Sequence, residues 1–132
     1  MSSFESDRRE FTRVRVSVPV RYKFLHHEME HPDLDHIWEG STSNLSGSGL
    51  LMKIKVPHMD WVTLLLTGKM KVGVNLILPT YELPVKALCR VSWMESMNPS
   101  TQKLNMGLVF REIGSQAKDE IVQYIIKTQM PG

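Results

Sequence analysis

Near the start of the chain, Arg8-Arg9-Glu10-Phe11-Thr12-Arg13 places three guanidiniums within six residues. A guanidinium is planar, permanently charged and carries five donors in a fixed fork. It grips a phosphate or the O6/N7 edge of a guanine in bidentate fashion, and it stacks on a base. Such a cluster on an arm points to an anionic, guanine-containing ligand; a solvated basic leader is the plainer reading of the same residues. A second stretch, Asn44-Leu45-Ser46-Gly47-Ser48-Gly49, offers an amide, two hydroxyls and two glycines. An asparagine amide both donates to and accepts from a base edge, and glycine lets a backbone approach a ligand closely. The plainer reading here is a hairpin turn.

Other chemistry-bearing residues carry less. His26, His27, His31 and His36 lie among Glu28, Glu30, Asp33 and Asp35. His27 and His31 have the i, i+4 spacing that chelates a metal on a helix. Pro32 follows at once and no apolar residue recurs to hold a helix, so a polar surface loop is expected, with no metal site. Cys89 is the sole cysteine, which removes any disulfide framework and any cysteine-based metal centre and fits a reducing cytoplasm. It alternates with Val85, Ala87, Val91 and Trp93, and is read as a small inward hydrophobe rather than a nucleophile. No carboxylate pair or nucleophile constellation argues for catalysis, so neither an enzyme nor a cofactor is expected.

These residues need elements to position them. The 132 residues suit one compact domain, 42% hydrophobic and 23% charged, with a net charge of +2 that is too small to argue for non-specific binding to long nucleic acid. The first residues lack the apolar stretch of a signal peptide, and the longest apolar run, near Trp61 to Leu66, is far too short to span a bilayer. A cytoplasmic protein without membrane insertion is expected.

Residues 1–13 show no apolar periodicity and are read as a flexible, arginine-rich arm ahead of a single domain, 14–132. From Val14 to Phe24 every even position is apolar, the period of a half-buried strand, with Pro19 on the outward set. Further strands are expected over 36–43, 50–54, 72–78, 81–94 and 104–110. The 55–71 connection reads as a short helix packed on the core or an interaction surface. Ala117, Ile121, Val122, Ile125 and Ile126 form a helical stripe behind Ser115, a candidate N-cap. The fold class is therefore mainly β: a six-stranded antiparallel β-barrel, closed or nearly so, with one C-terminal amphipathic helix.

At this point the residues resemble a known family, the PilZ domain, a bacterial six-stranded β-barrel that binds cyclic di-GMP. Its first motif, RxxxR with an arginine in front, is matched by Arg9 and Arg13 with Arg8 before them. Its second, [D/N]xSxxG, is matched by Asn44, Ser46 and Gly49. Arg90-Val91-Ser92-Trp93 and Gly107-Leu108-Val109-Phe110 add agreement, and the likeness covers about residues 8 to 112.

The resemblance implies a cyclic di-GMP effector that changes conformation on binding and regulates an unidentified partner protein. Arg9 and Arg13 would take phosphates and guanine edges, and Arg8 would add a stack or a further contact. Asn44 and Ser46 would read the other guanine, and Gly49 would keep the turn geometry. Trp93 is either a cover for the ligand or a core residue. Three alternatives stand beside this: a small barrel binding single-stranded nucleic acid, against which the near-neutral charge speaks; a PilZ-like adaptor binding only protein; and, more distantly, a zinc enzyme built on His27 and His31. The leading reading expects no DNA or RNA partner.

Overall fold

The computed structural model describes residues 13–79, 81–98 and 103–129. Six strands, β1 (Pro19–Leu25), β2 (Trp38–Leu45), β3 (Gly49–Lys55), β4 (Lys71–Leu76), β5 (Val85–Asn98) and β6 (Lys103–Ile113), close into an antiparallel barrel. Around the barrel the order is β1-β2-β3-β6-β5-β4. A short helix, α1 (Trp61–Leu66), and a C-terminal helix, α2 (Ser115–Gln129), complete the chain. Among the described residues no helix is long and apolar enough to cross a membrane.

The even-numbered apolar residues of the first segment do point inward: Val18, Val20, Tyr22 and Phe24 are all buried. Strand pairing, however, begins only at Pro19 rather than at Val14. Proline has no N–H to give a ladder, so an outward-facing first position is where a strand tolerates it. Residues 14–18 still run beside β2, tied by an isolated bridge from Val14 to Leu45. Thr42 completes the tie: its hydroxyl donates to the Val16 carbonyl and accepts from the Val18 N–H. The hydroxyl is itself buried, and these two bonds satisfy it.

The core is one cluster running through the barrel, with Phe24, Leu45, Met52, Ile54, Met106 and Leu108 all but inaccessible. Phe24 meets Tyr22 and Trp61 edge-on, with ring centroids 6.0 and 5.6 Å away. Truncating a phenylalanine so placed costs about 3–5 kcal/mol. Trp61 and Leu65 are the buried residues of α1, so the apolar connection is a short helix packed on the core. In α2, Ile121, Tyr124 and Ile125 join the same cluster. Ser115 is the first helical residue rather than the cap; the Lys118 N–H reaches the carbonyl of Gly114, one position earlier. Cys89 lies in the core, where burial pushes its thiol up to about 12, which keeps it protonated and inert at neutral pH.

Candidate functional site

Two bulges shape one patch of the barrel wall. In β2 the register with β3 slips between Thr42 and Asn44, so Ser43 is an extra residue. In β5 the register with β6 slips between Val91 and Trp93, so Ser92 is extra. An extra residue reverses the inward–outward alternation beyond it and re-aims the next side chain. Thr42 and Leu45 are therefore both inward, and Asn44 between them faces the outer surface. By the same device Trp93 leaves the interior, 37% exposed, although simple alternation groups it with Val85, Ala87, Cys89 and Val91, which are buried. Of the two readings of Trp93, the core residue is thus corrected to a surface one.

The indole of Trp93 lies over Gly107, its direct cross-strand neighbour. A Cβ at Gly107 would overlap Nε1 of the ring and its two neighbouring carbons. The glycine in β6 is what lets a tryptophan lie against the barrel wall. Gly49 has a different reason: a Cβ there would overlap the Leu108 carbonyl oxygen of the facing strand, so the start of β3 can approach β6 this closely only without a side chain.

Ser46 organises the turn between β2 and β3. Its hydroxyl accepts from the N–H groups of Ser48 and Gly49 at 3.3 and 3.2 Å, and lies 3.0 Å from the Ser48 hydroxyl. Its own N–H donates to the Gly49 carbonyl at 2.9 Å. Ser46 is only 4% exposed, so it fixes the loop rather than offering itself outward. The Asn44 amide, half-buried beside it, makes no side-chain hydrogen bond among the described residues.

Arg13 reaches this patch through its neighbour. Val14 exchanges two backbone hydrogen bonds with Leu45, 2.9 and 3.0 Å, which lays the end of the arm beside Asn44 and the turn. A depression of about 110 Å³ results, lined by Arg13, Asn44, Ser46, Gly49 and Trp93 together with Ser48, Ser92, Gly107, Val109 and the adjoining leucines. Five of the seven residues singled out from the sequence thus meet on one surface, although they come from three separate stretches. Arg8 and Arg9 lie outside the described residues. The sequence offered the Ser48 hydroxyl only as part of the turn and passed over Ser92, whose one local signal is a small polar residue where a strand changes register.

His27 and His31, whose i, i+4 spacing would allow chelation on a helix, are not on one, and they face different partners. His27 stacks on His26 and pairs with Glu28 at 3.3 Å. His31 instead turns toward Asp33 and His58.

The model of the PilZ domain matches residues 7–127. The chain belongs to the PilZ domain family. No curated protein matches the sequence. Among solved structures, the inhibitor of motility MotI/DgrA of Bacillus subtilis superposes with a TM-score of 0.66 at 18% identity, covering 92% of this chain. This chain spans about half (51%) of that protein. The PilZ domain of CeSA from a cellulose-synthesizing bacterium gives 0.57 at 16% identity, covering 90% of this chain and 99% of its own. The PilZ domain of YcgR from Escherichia coli, solved with c-di-GMP, gives 0.58 at 11% identity, covering 92% and 90%. At such identities the likeness is one of fold: a closed six-stranded PilZ barrel with a C-terminal helix.

Proposed function

We propose that this PilZ domain is a cyclic di-GMP-binding effector, without catalytic activity, that changes conformation on binding and regulates a partner protein. The observation carrying the reading is the convergence of Arg13, Asn44, Ser46, Gly49 and Trp93 on one depression. In this reading Arg13, with Arg9 and Arg8 ahead of it, takes phosphates and guanine edges. The uncommitted Asn44 amide reads a guanine, Ser46 and Gly49 hold the loop that presents it, and the Trp93 face covers a base.

The size of the depression supports an arm that closes. Sites enclosing ligands of drug size usually offer roughly 300–1,000 Å³. About 110 Å³ holds part of a cyclic dinucleotide, so the remaining contact surface has to come from residues 8–13. Ordering those residues costs conformational entropy that ligand phosphates and base faces offset. Several charge-assisted contacts at about 1.5–3 kcal/mol each reach micromolar affinity after that cost. The closed arm then presents a surface absent from the free protein, which is how a partner would sense the ligand.

Calorimetric titration with cyclic di-GMP, GTP and a short single-stranded oligonucleotide tests the reading. Saturable micromolar binding of cyclic di-GMP alone supports it. Preferential binding of the oligonucleotide transfers the patch to the single-stranded nucleic-acid reading, and binding of none leaves a barrel that engages only protein.

A further inference from the structure

The histidine-rich loop and the segment ahead of α1 are two parts of the chain that the dinucleotide reading does not use, and they meet. His31 caps the 3-10 turn Pro32–Leu34, which carries Asp33, and His58 lies 25 residues further on. The His58 Nε2 is 2.7 Å from Asp33 Oδ2, and the His31 Nδ1 is 3.8 Å from the same oxygen. One donor atom from each residue falls within 4.8 Å of both others. We propose that His31, Asp33 and His58 form a divalent transition-metal site of the zinc class, pinning the histidine-rich loop to the start of α1.

The donor set fits that chemistry. Two imidazole nitrogens and one carboxylate oxygen suit zinc and its neighbours rather than magnesium or calcium, which take oxygen donors. Around a tetrahedral zinc, with ligand bonds of about 2.0–2.1 Å, donor atoms sit roughly 3.3 Å apart. The two separations to Asp33, 2.7 and 3.8 Å, bracket that value, and the two imidazole donors lie within 4.8 Å of each other, so side-chain rotation has to draw them together. The side chains are each about one-third exposed (36%), which leaves room for water in the remaining position.

A rigid wall backs the cluster. Trp61 is 2% exposed and meets both rings, with centroids 5.5 Å from His31 and 4.8 Å from His58. The two imidazoles are themselves edge-on at 4.6 Å. Without metal, the His31 Nδ1 accepts the Asp33 N–H at 3.1 Å. Coordination exchanges this hydrogen bond, and the 2.7 Å one between His58 Nε2 and Asp33 Oδ2, for metal–ligand bonds.

Full-length protein stripped with a chelator and titrated with zinc chloride against a chromophoric competitor tests the proposal. The expected result is one zinc per chain at micromolar or tighter affinity, with a higher unfolding temperature. His58→Phe keeps an aromatic ring against Trp61 but removes the donor, and Asp33→Asn keeps the side-chain shape. Losing a ligand weakens binding by at least about a hundredfold, more than the loss of an outer-shell partner. His27→Ala, on the exposed part of the same loop, leaves binding unchanged. If His58→Phe does not fold, as judged by circular dichroism, Asp33→Asn carries the test. No saturable binding below millimolar zinc, or wild-type binding in Asp33→Asn, overturns the proposal.

Discussion

Two surfaces of this barrel differ in the way opposite to what size alone suggests. A groove of about 760 Å³ spans β1, β4, the first part of β5 and the end of β6, reaching Gly114 just beyond it. It is floored by Leu25, Ile37 and Leu88 and fringed by Arg21, Lys23, Lys86 and Arg111. The depression at the end of the arm has about one-seventh of that volume, and the two share no lining residue. Yet the smaller one holds two bulges, two glycines without which its walls would overlap, a serine spent on shaping a loop, and an unengaged amide. Irregularity in a sheet costs ladder hydrogen bonds, and it persists where it aims side chains. A bulge alone does not make the difference, because the larger groove also holds one, between Leu88 and Cys89, where Arg111 is the extra residue of β6. The smaller patch differs in that its bulges bring an amide, a serine-held turn and an indole to one place. The larger groove offers room, apolar side chains and a surround of charged ones.

The contrast can be broken first at the arginines. Replacing Arg9 and Arg13 together by alanine should abolish measurable cyclic di-GMP binding. Each alone should cost at least about tenfold, the equivalent of about 1.5 kcal/mol for one charge-assisted contact. Lysine should rescue only partly, because it lacks the planar fork. Circular dichroism should show an unchanged fold, since Arg13 is exposed. Next, Asn44→Ala should cost about 1–3 kcal/mol and narrow the preference for cyclic di-GMP over cyclic di-AMP, measured by parallel titrations.

Gly107→Ala is a subtler probe, because it leaves every proposed contact residue in place and only displaces the Trp93 ring. Loss of stacking should weaken binding by about 1–3 kcal/mol, and the tryptophan fluorescence response to ligand should shrink. The smallest effect belongs to the large groove. Ile37→Ser and Lys86→Ala should change affinity by less than about 0.5 kcal/mol, as surface substitutions remote from a site do. A tenfold loss from either would move the ligand to the larger groove and undo the contrast.

Much of this was legible in the chain. Even-position apolar residues give the inward face of β1 at Val20, Tyr22 and Phe24, and the Ile121/Ile125 stripe gives the buried face of α2. The Asn44 to Gly49 stretch announces its turn through residue types that make turns. The bulges did not announce themselves. A single extra residue, Ser43 or Ser92, alters no composition and no period until the partner strand is known. That is why Trp93 counts as inward by alternation and stands outward in the barrel. The meeting of Asp33 with His58 was equally hidden, because local spacing offered His27 and His31 instead, and only packing against Trp61 decides which imidazoles converge. The end of the arm was placed by something similar: one bridge, Val14 to Leu45, brings Arg13 beside Asn44, and no pattern within either stretch encodes it.

The central claim is that cyclic di-GMP is held between residues 8–13 and the Asn44–Trp93 patch. Amide hydrogen exchange, followed with and without the dinucleotide, tests this most directly. Exchange should slow in residues 1–13 and in the turn from Asn44 to Gly49. The paired strands β1 and β4, which floor the large groove, should hardly change, because their backbone groups are already bonded in the ladder. Equal protection of residues 1–13 with and without ligand, or new protection centred on β1 and β4, would contradict the account.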